Sequence, residues 1–186
     1  MKFLKWLLIV VVVLAVLFFT VGQSYMREQT KKHSPEKVAT MKTGGMDLSV
    51  KYSSPSKKGR VIFGELVPYD AVWRTGANEP TVFSTTTDIS VAGQKLPAGT
   101  YSLWTIPNPN QWSVILNTEV PDWGVTILSM GKKTQRDPEK DAIEIEVATE
   151  KLATPQENFI IDFETSGQAF MTLSWDDTKI KVPISN

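Results

Sequence analysis

Ile143-Glu144-Ile145-Glu146-Val147 decides the fold class. Apolar and charged side chains alternate there with period two, so an extended strand turns Ile143, Ile145 and Val147 to one face and the two carboxylates to the other. The same alternation returns downstream in Phe159 to Glu164, in Ala169, Met171, Leu173 and Trp175, and in Ile180, Val182 and Ile184. Upstream it marks Leu48 to Tyr52, Arg60 to Phe63, Thr81 to Thr86, Ile89 to Val91, Tyr101 to Ile106 and Trp112 to Asn117. Ala92-Gly93 suits a tight hairpin turn. Leu96-Pro97-Ala98-Gly99 suits a type I turn, with proline second and glycine fourth. Short helical turns are expected at Pro68 to Val72 and at Glu119 to Trp123. Closely spaced short strands without a long amphipathic helix predict an all-β domain, an antiparallel β-sandwich or jelly roll.

The N-terminus departs from this pattern. Met1-Lys2-Phe3-Leu4-Lys5 precedes an apolar run from Trp6 through Phe19 to Val21. Two lysines before such a run begin a secretory signal or a membrane anchor. Residues 6–22 just reach the roughly 17 residues that a spanning helix needs, and Val21-Gly22-Gln23-Ser24 is a poor cleavage site. A retained transmembrane anchor is therefore expected, with residues 1–5 as a cytoplasmic stub because lysines favour that side. Residues 23–45 are polar and read as a linker closed by Gly44-Gly45, with a short helix possible over Arg27 to Lys37. Residues 46–186 form the expected extracytoplasmic, periplasmic β domain, and the membrane is its expected partner through the N-terminal helix.

Residue types missing from the chain narrow its chemistry. It has no cysteine, so neither disulfides nor thiolate sites exist. Its single histidine, His33, stands beside Lys31 and Lys32 in the linker, which argues against a catalytic triad or a histidine-ligated zinc in the domain. No glycine-rich phosphate loop and no calcium loop is present. From Pro35 onward there are 15 basic and 19 acidic residues, a net charge of −4. Nucleic acid is excluded as a partner for want of a basic face. No cofactor and no metal is expected.

One segment resists explanation by periodicity: Trp73-Arg74-Thr75-Gly76-Ala77-Asn78-Glu79-Pro80. Arg74 has the fork geometry to clamp a carboxylate or phosphate, and Asn78 and Glu79 are suited to hydrogen-bond a sugar or an amide. In the competing structural reading, Arg74 and Glu79 pair to fasten a bend while Trp73 plugs the core. Removing one partner of such a buried pair costs about 3–5 kcal/mol. Tyr69, Asp70 and Glu65 lie just upstream. Thr85, Thr86 and Thr87 are strand-typical. Among six tryptophans, Trp104 and Trp112 read as core, and Trp123, in Pro121-Asp122-Trp123-Gly124, as a loop-borne aromatic for ligand stacking. The candidate binding residues are thus Trp73, Arg74, Asn78, Glu79 and Trp123.

From about Ser53 to Asn117 the chain resembles an uncharacterised bacterial envelope family, domain of unknown function 2911. The resemblance rests on Tyr52-Ser53-Ser54-Pro55, Gly59-Arg60-Val61-Ile62-Phe63-Gly64 and the Trp73 to Glu79 segment. Leu96-Pro97-Ala98-Gly99-Thr100-Tyr101-Ser102-Leu103 and the Trp112 to Asn117 strand follow in order. It implies an exported or anchored β domain without an established activity. The asparagine-synthetase label that some relatives carry finds no support, because the nucleophilic cysteine and the nucleotide-binding half are both missing.

Three functions fit these observations. The first is a membrane-anchored module that binds an envelope ligand or protein partner without catalysis. The second is a carboxylate-dependent hydrolase or lyase acting on an envelope glycan or peptide, with Glu79 and a second carboxylate such as Asp70 or Glu65. The third is a purely structural envelope component, which would present an exposed apolar patch on one sheet face.

Overall fold

The computed structural model describes residues 2–18, 22–125 and 134–186. It divides into two compact units, Met1–His33 and Ser34–Asn186. In the first, α1 (Lys2–Leu17) and α2 (Gln23–His33) are helical. Lys31, Lys32 and His33 occupy the last turn of α2, where the helix dipole favours positive charge. The apolar side chains of α1, Phe3, Trp6, Leu8 and Val11 among them, are exposed. Sixteen residues give α1 a length of about 24 Å, short of the roughly 30 Å hydrocarbon layer. Among the described residues no helix is long and apolar enough to cross a membrane. Phe19, Thr20 and Val21, which the expected span includes, lie outside the described residues.

The second unit is antiparallel β throughout its strand pairings. Its strands are β1 (Glu36–Thr43), β2 (Met46–Ser53), β3 (Thr81–Thr85), β4 (Ile89–Val91), β5 (Gln94–Leu96), β6 (Gly99–Ile106), β7 (Gln111–Asn117), β8 (Asp141–Ser166) and β9 (Gln168–Ser185). They hydrogen-bond in the order β1-β2-β3-β6-β7-β8-β9-β4-β5. The expected antiparallel all-β class is found.

Several boundaries differ from the sequence reading, each for a local reason. Residues 36–43, read as linker, form β1 against β2, with Glu36 facing Ser53 and Thr43 facing Met46. Gly44 and Gly45 are the hairpin turn between them, both at positive φ (56° and 84°), as a two-residue turn requires. Ala92 and Gly93, at φ 49° and 86°, make the expected turn between β4 and β5 in the same way. The separate strands expected around Ile143 and Phe159 are one strand, β8, and those around Met171 and Val182 are β9. Register shifts near Gln156 interrupt their pairing without ending it. Arg60 to Phe63 is loop rather than strand, and Pro68 to Val72 and Glu119 to Trp123 are turns and bends rather than helix. Their backbone is held by scattered long-range bonds such as Asp70 N–H to the Pro107 carbonyl at 2.9 Å, not by a helical ladder.

The sheet closes over its own core because β8 serves both halves. Its first part pairs with β7 and its remainder with β9. The chain leaving β2, four places from β8 in the sheet order, is laced to it. The Ser54 hydroxyl donates to the Phe159 carbonyl (2.6 Å), Phe159 N–H to the Pro55 carbonyl (2.9 Å), and Lys57 N–H to the Glu157 carbonyl (2.7 Å). A Lys57–Asp176 ion pair adds a side-chain tie. Inside stand Leu48 and Val50 of β2, Phe83, Leu103, Val114, Ile145, Ile161 and Leu173, all buried. Trp112 is buried with them, and Trp104 is buried opposite Ile115 in the β6–β7 register, as expected for both indoles.

Ser54 is 1% exposed, so its hydroxyl has no water to fall back on. Ser54→Ala should lower the unfolding free energy of residues 34–186 by about 1–3 kcal/mol, the usual cost of orphaning a buried polar group. Urea denaturation with an unchanged slope would be the expected signature, and an unchanged midpoint would refute the lacing.

Candidate functional site

Trp73 anchors the segment singled out in the sequence. Its N–H donates to the Thr105 carbonyl (2.7 Å) and its carbonyl accepts from Thr105 N–H (3.0 Å), so it is a one-residue strand on the edge of β6. Its indole is buried in an aromatic pack, stacked on Trp175 at 6.0 Å and 19° and edge-on to Phe63, Trp112 and Phe159. The indole N–H donates to the Gly76 carbonyl at 3.1 Å. Trp73 is therefore the core plug and not a ligand platform.

Beyond Trp73 the backbone turns through Thr75 (φ 55°), Gly76 (φ 147°) and Asn78 (φ 60°). Positive φ is a costly state for a β-branched threonine, and buried hydrogen bonds hold it. The Thr75 hydroxyl meets that of Thr105 at 3.1 Å, and the Thr81 hydroxyl donates to the Thr75 carbonyl at 2.5 Å. Asn78, 7% exposed, donates its side-chain amide to the Ser34 carbonyl at 3.4 Å. One N–H of that amide thus serves the scaffold.

The structure brings the Trp123 loop onto this segment although 45 positions separate Asn78 from Trp123 in the chain. Gly124 N–H donates to the Asn78 carbonyl at 3.4 Å. A methyl group on Gly124 would stand 3.0 Å from Arg74 Cβ and closer still to Cδ, so only glycine lets the loop close over the arginine stem. Trp123 and Glu79, each one residue from the Gly124–Asn78 contact, are both half-buried.

Arg74 is the unusual member. Its Nε is buried without a hydrogen-bond partner, and among the described residues no ion pair joins it to Glu79. Burial alone pulls the guanidinium below its ordinary pKa, the mark of a desolvated charge without a counter-charge. The expected Arg74–Glu79 fastening is thus not formed. Threonine hydroxyls and the Trp73 indole hold the bend instead, and among the described residues no acidic group pairs with the half-buried guanidinium.

The upstream candidates go elsewhere. Asp70 accepts from the Asn108 side-chain amide at 2.8 Å, and Glu65 is exposed. Thr85 spends its hydroxyl on the Thr87 carbonyl at 2.7 Å, and His33 is exposed in α2. Tyr69 lines a cleft of about 210 Å³ together with Asn108, Trp112, Thr149, Lys151 and Asp177. Sequence reasoning missed this cleft, since four separate segments build it. The available clues were the Pro107-Asn108-Pro109-Asn110 turn and the paired aspartates after Trp175.

Three substitutions check this account. Gly76→Ala would place Cβ 2.9 Å from the Ser53 carbonyl oxygen at a φ that disfavours side chains; about 2 kcal/mol or more should be lost. Gly124→Ala should cost about 1–3 kcal/mol by crowding the arginine stem. Arg74→Met keeps most of that stem and removes the charge, so it should raise stability by about 1 kcal/mol. Thermal melts of the three variants decide, and an Arg74→Met protein several degrees less stable than the parent would show that the guanidinium has a compensating partner.

No curated protein and no solved structure matches the chain. The family described as protein of unknown function (DUF2911) matches residues 34–184, a span that opens at the carbonyl holding Asn78 and covers the sheet but for the last residue of β9, and the chain belongs to that family.

Proposed function

We propose that this protein is a non-catalytic binding module of the cell envelope and that Arg74 receives an anionic group, a carboxylate or a phosphate, of its ligand or partner. The observation that carries this reading is the Arg74 guanidinium, whose Nε is buried without a partner and which meets no acidic group among the described residues. Keeping an uncompensated charge out of water is costly, and an incoming oxyanion would offset that cost through two parallel N–H···O bonds. The rigid bend from Trp73 to Thr81 and the Gly124 contact fix the arginine stem before the ligand arrives, which lowers the entropy lost on binding. Glu79 and Trp123, packed at the same place, are the residues to read the rest of the ligand.

No observation favours the alternative of a carboxylate-dependent hydrolase or lyase. Such an enzyme needs one carboxyl raised in pKa to act as an acid. Lys179 and Lys181 hold Glu164, and Lys151 holds Asp177, below the usual carboxylate range. The purely structural alternative wants an apolar patch on a sheet face. In Ser34–Asn186 the exposed large apolar side chains among the described residues are Val38, Val61, Leu66, Tyr69 and Val120, and only Val38 lies on a strand.

The envelope placement rests on the N-terminal unit. Lys2 and Lys5 stand at the start of an apolar helix that exposes Phe3, Trp6, Leu8 and Val11, which suits a membrane anchor with its N-terminus in the cytoplasm and the β domain outside. We read the closed-over sheet as a sandwich, an architecture able to stand alone on such an anchor.

The test titrates residues 34–186 with inorganic phosphate and with N-acetyl-alanine, followed by NMR. Saturable shifts near Gly124 that weaken at least about tenfold in Arg74→Met, and partly in Arg74→Lys, are expected. Equal affinity in Arg74→Met and the parent, or no anion binding at all, would refute the proposal.

A further inference from the structure

The cleft beside Tyr69 has a different chemistry from the Arg74 site. Its volume, about 210 Å³, falls under the roughly 300–1,000 Å³ of drug-sized pockets, so it admits one ring-sized unit. Tyr69 is 38% exposed yet fixed in place. A Cβ on Gly64 would stand 2.9 Å from its ring, and Gly64 sits at φ 93°, so only glycine permits this seat for the ring. Beneath it, Phe63 packs edge-on against Trp112 at 4.9 Å. Asp70 (φ 57°) and Asp176 (φ 53°), each next in the chain to a lining residue, turn the backbone through the left-handed region that aspartate tolerates.

The cations at the cleft are already engaged. Lys151 bonds Asp177 at 3.2 Å, and Lys181 is shared by Glu150 at 3.6 Å and Glu164 at 3.1 Å, while Asp70 at the margin is bonded by the Asn108 amide. An anionic ligand would find no excess of positive charge to bind. The polar groups nevertheless keep spare capacity. The Thr149 hydroxyl donates to the Pro109 carbonyl at 2.8 Å and retains its acceptor lone pairs. Asp177 accepts from Lys151 and from Thr178 (3.2 Å), which leaves further lone pairs, and the Lys151 ammonium has protons to spare. Hydroxyl groups, each both donor and acceptor, match such a wall. A pre-set aromatic face beside mixed donors and acceptors matches a neutral sugar ring, with an apolar C–H face and a hydroxyl rim.

We propose that the cleft formed by Tyr69, Asn108, Trp112, Thr149, Lys151 and Asp177 is a subsite for one neutral pyranose unit, with Tyr69 as the stacking platform. This site is separate from Arg74 and stands whether or not Arg74 binds an anion.

The test titrates the full chain, in a sugar-free detergent, with methyl glucoside and methyl N-acetylglucosaminide. Trp112 lines the cleft, so tryptophan fluorescence and NMR shifts of the Asn108 side-chain amide report occupancy. Saturable binding of at least one sugar, of order 1 mM for so small a ligand, is expected. Tyr69→Ala should weaken it about tenfold or more, Tyr69→Phe should preserve it, and Asp177→Asn should weaken it without loss of fold. Arg74→Met should leave sugar binding unchanged, which separates this subsite from the anion site. No saturable binding of either sugar, equal affinity in Tyr69→Ala, or competition by inorganic phosphate would overturn the proposal.

Discussion

Trp73 packed on Trp175 is the contact around which the domain is organised. The two indoles stack 19° from parallel, one delivered by a loop between β2 and β3, the other by β9 near the bend of the long hairpin. Phe63, Trp112 and Phe159 close around them edge-on, the arrangement that ring quadrupoles favour. Because Trp73 also hydrogen-bonds Thr105 in both directions, the same residue fastens the loop to β6 in the middle of the sheet. Everything the loop carries, Arg74 and Asn78 above all, is placed by that single buried side chain. The cleft under Tyr69 has the outer edge of the same aromatic pack for its floor.

Much of the sheet could be read from periodicity because core burial is one-sided there. Ile143, Ile145 and Val147 are buried while Glu144 and Glu146 are exposed, so the alternation in sequence is the alternation in space. β1 escaped because only half of that rule applies to it. It lies at the end of the sheet, its side chains are exposed or half-buried, and Lys37, Thr40 and Lys42 resemble a solvated linker. Charge on an edge strand also discourages pairing with other chains, so the feature that hid the strand has a use. β8 and β9 escaped as continuous strands for another reason. Their pairing shifts register around Gln156, and the sequence there, with Thr154-Pro155, looks like a turn.

Of the candidate site, the segment was legible and its bonds were not. Gly124 brings the Trp123 loop against Asn78 and the Arg74 stem, while Trp73 turns into the core. An arginine five positions before a glutamate invites an ion pair, but the positive φ values at Thr75 and Asn78 send the backbone through a path that local spacing does not encode. The hydroxyls of Thr75, Thr81 and Thr105, unremarkable in sequence, supply the fastening. Two kinds of electrostatics result within one acidic domain. At one place a guanidinium meets no acidic group among the described residues, and at the other lysines and carboxylates engage each other, and the contrast separates a site suited to an anion from one suited to a neutral molecule.

The lacing between the end of β2 and β8 has a consequence for how the chain reaches this state. Ser54 and Phe159 are 105 positions apart, so their bond closes a loop containing most of the domain. Loop closure costs entropy that local contacts do not repay, and topologies rich in such distant pairings fold slowly. Hairpins with short turns, β1 with β2 and β4 with β5, can assemble early, whereas the seam must wait until both halves exist. Contacts made that late act as a latch: they contribute little to the speed of folding and most to the time the finished domain survives before it opens.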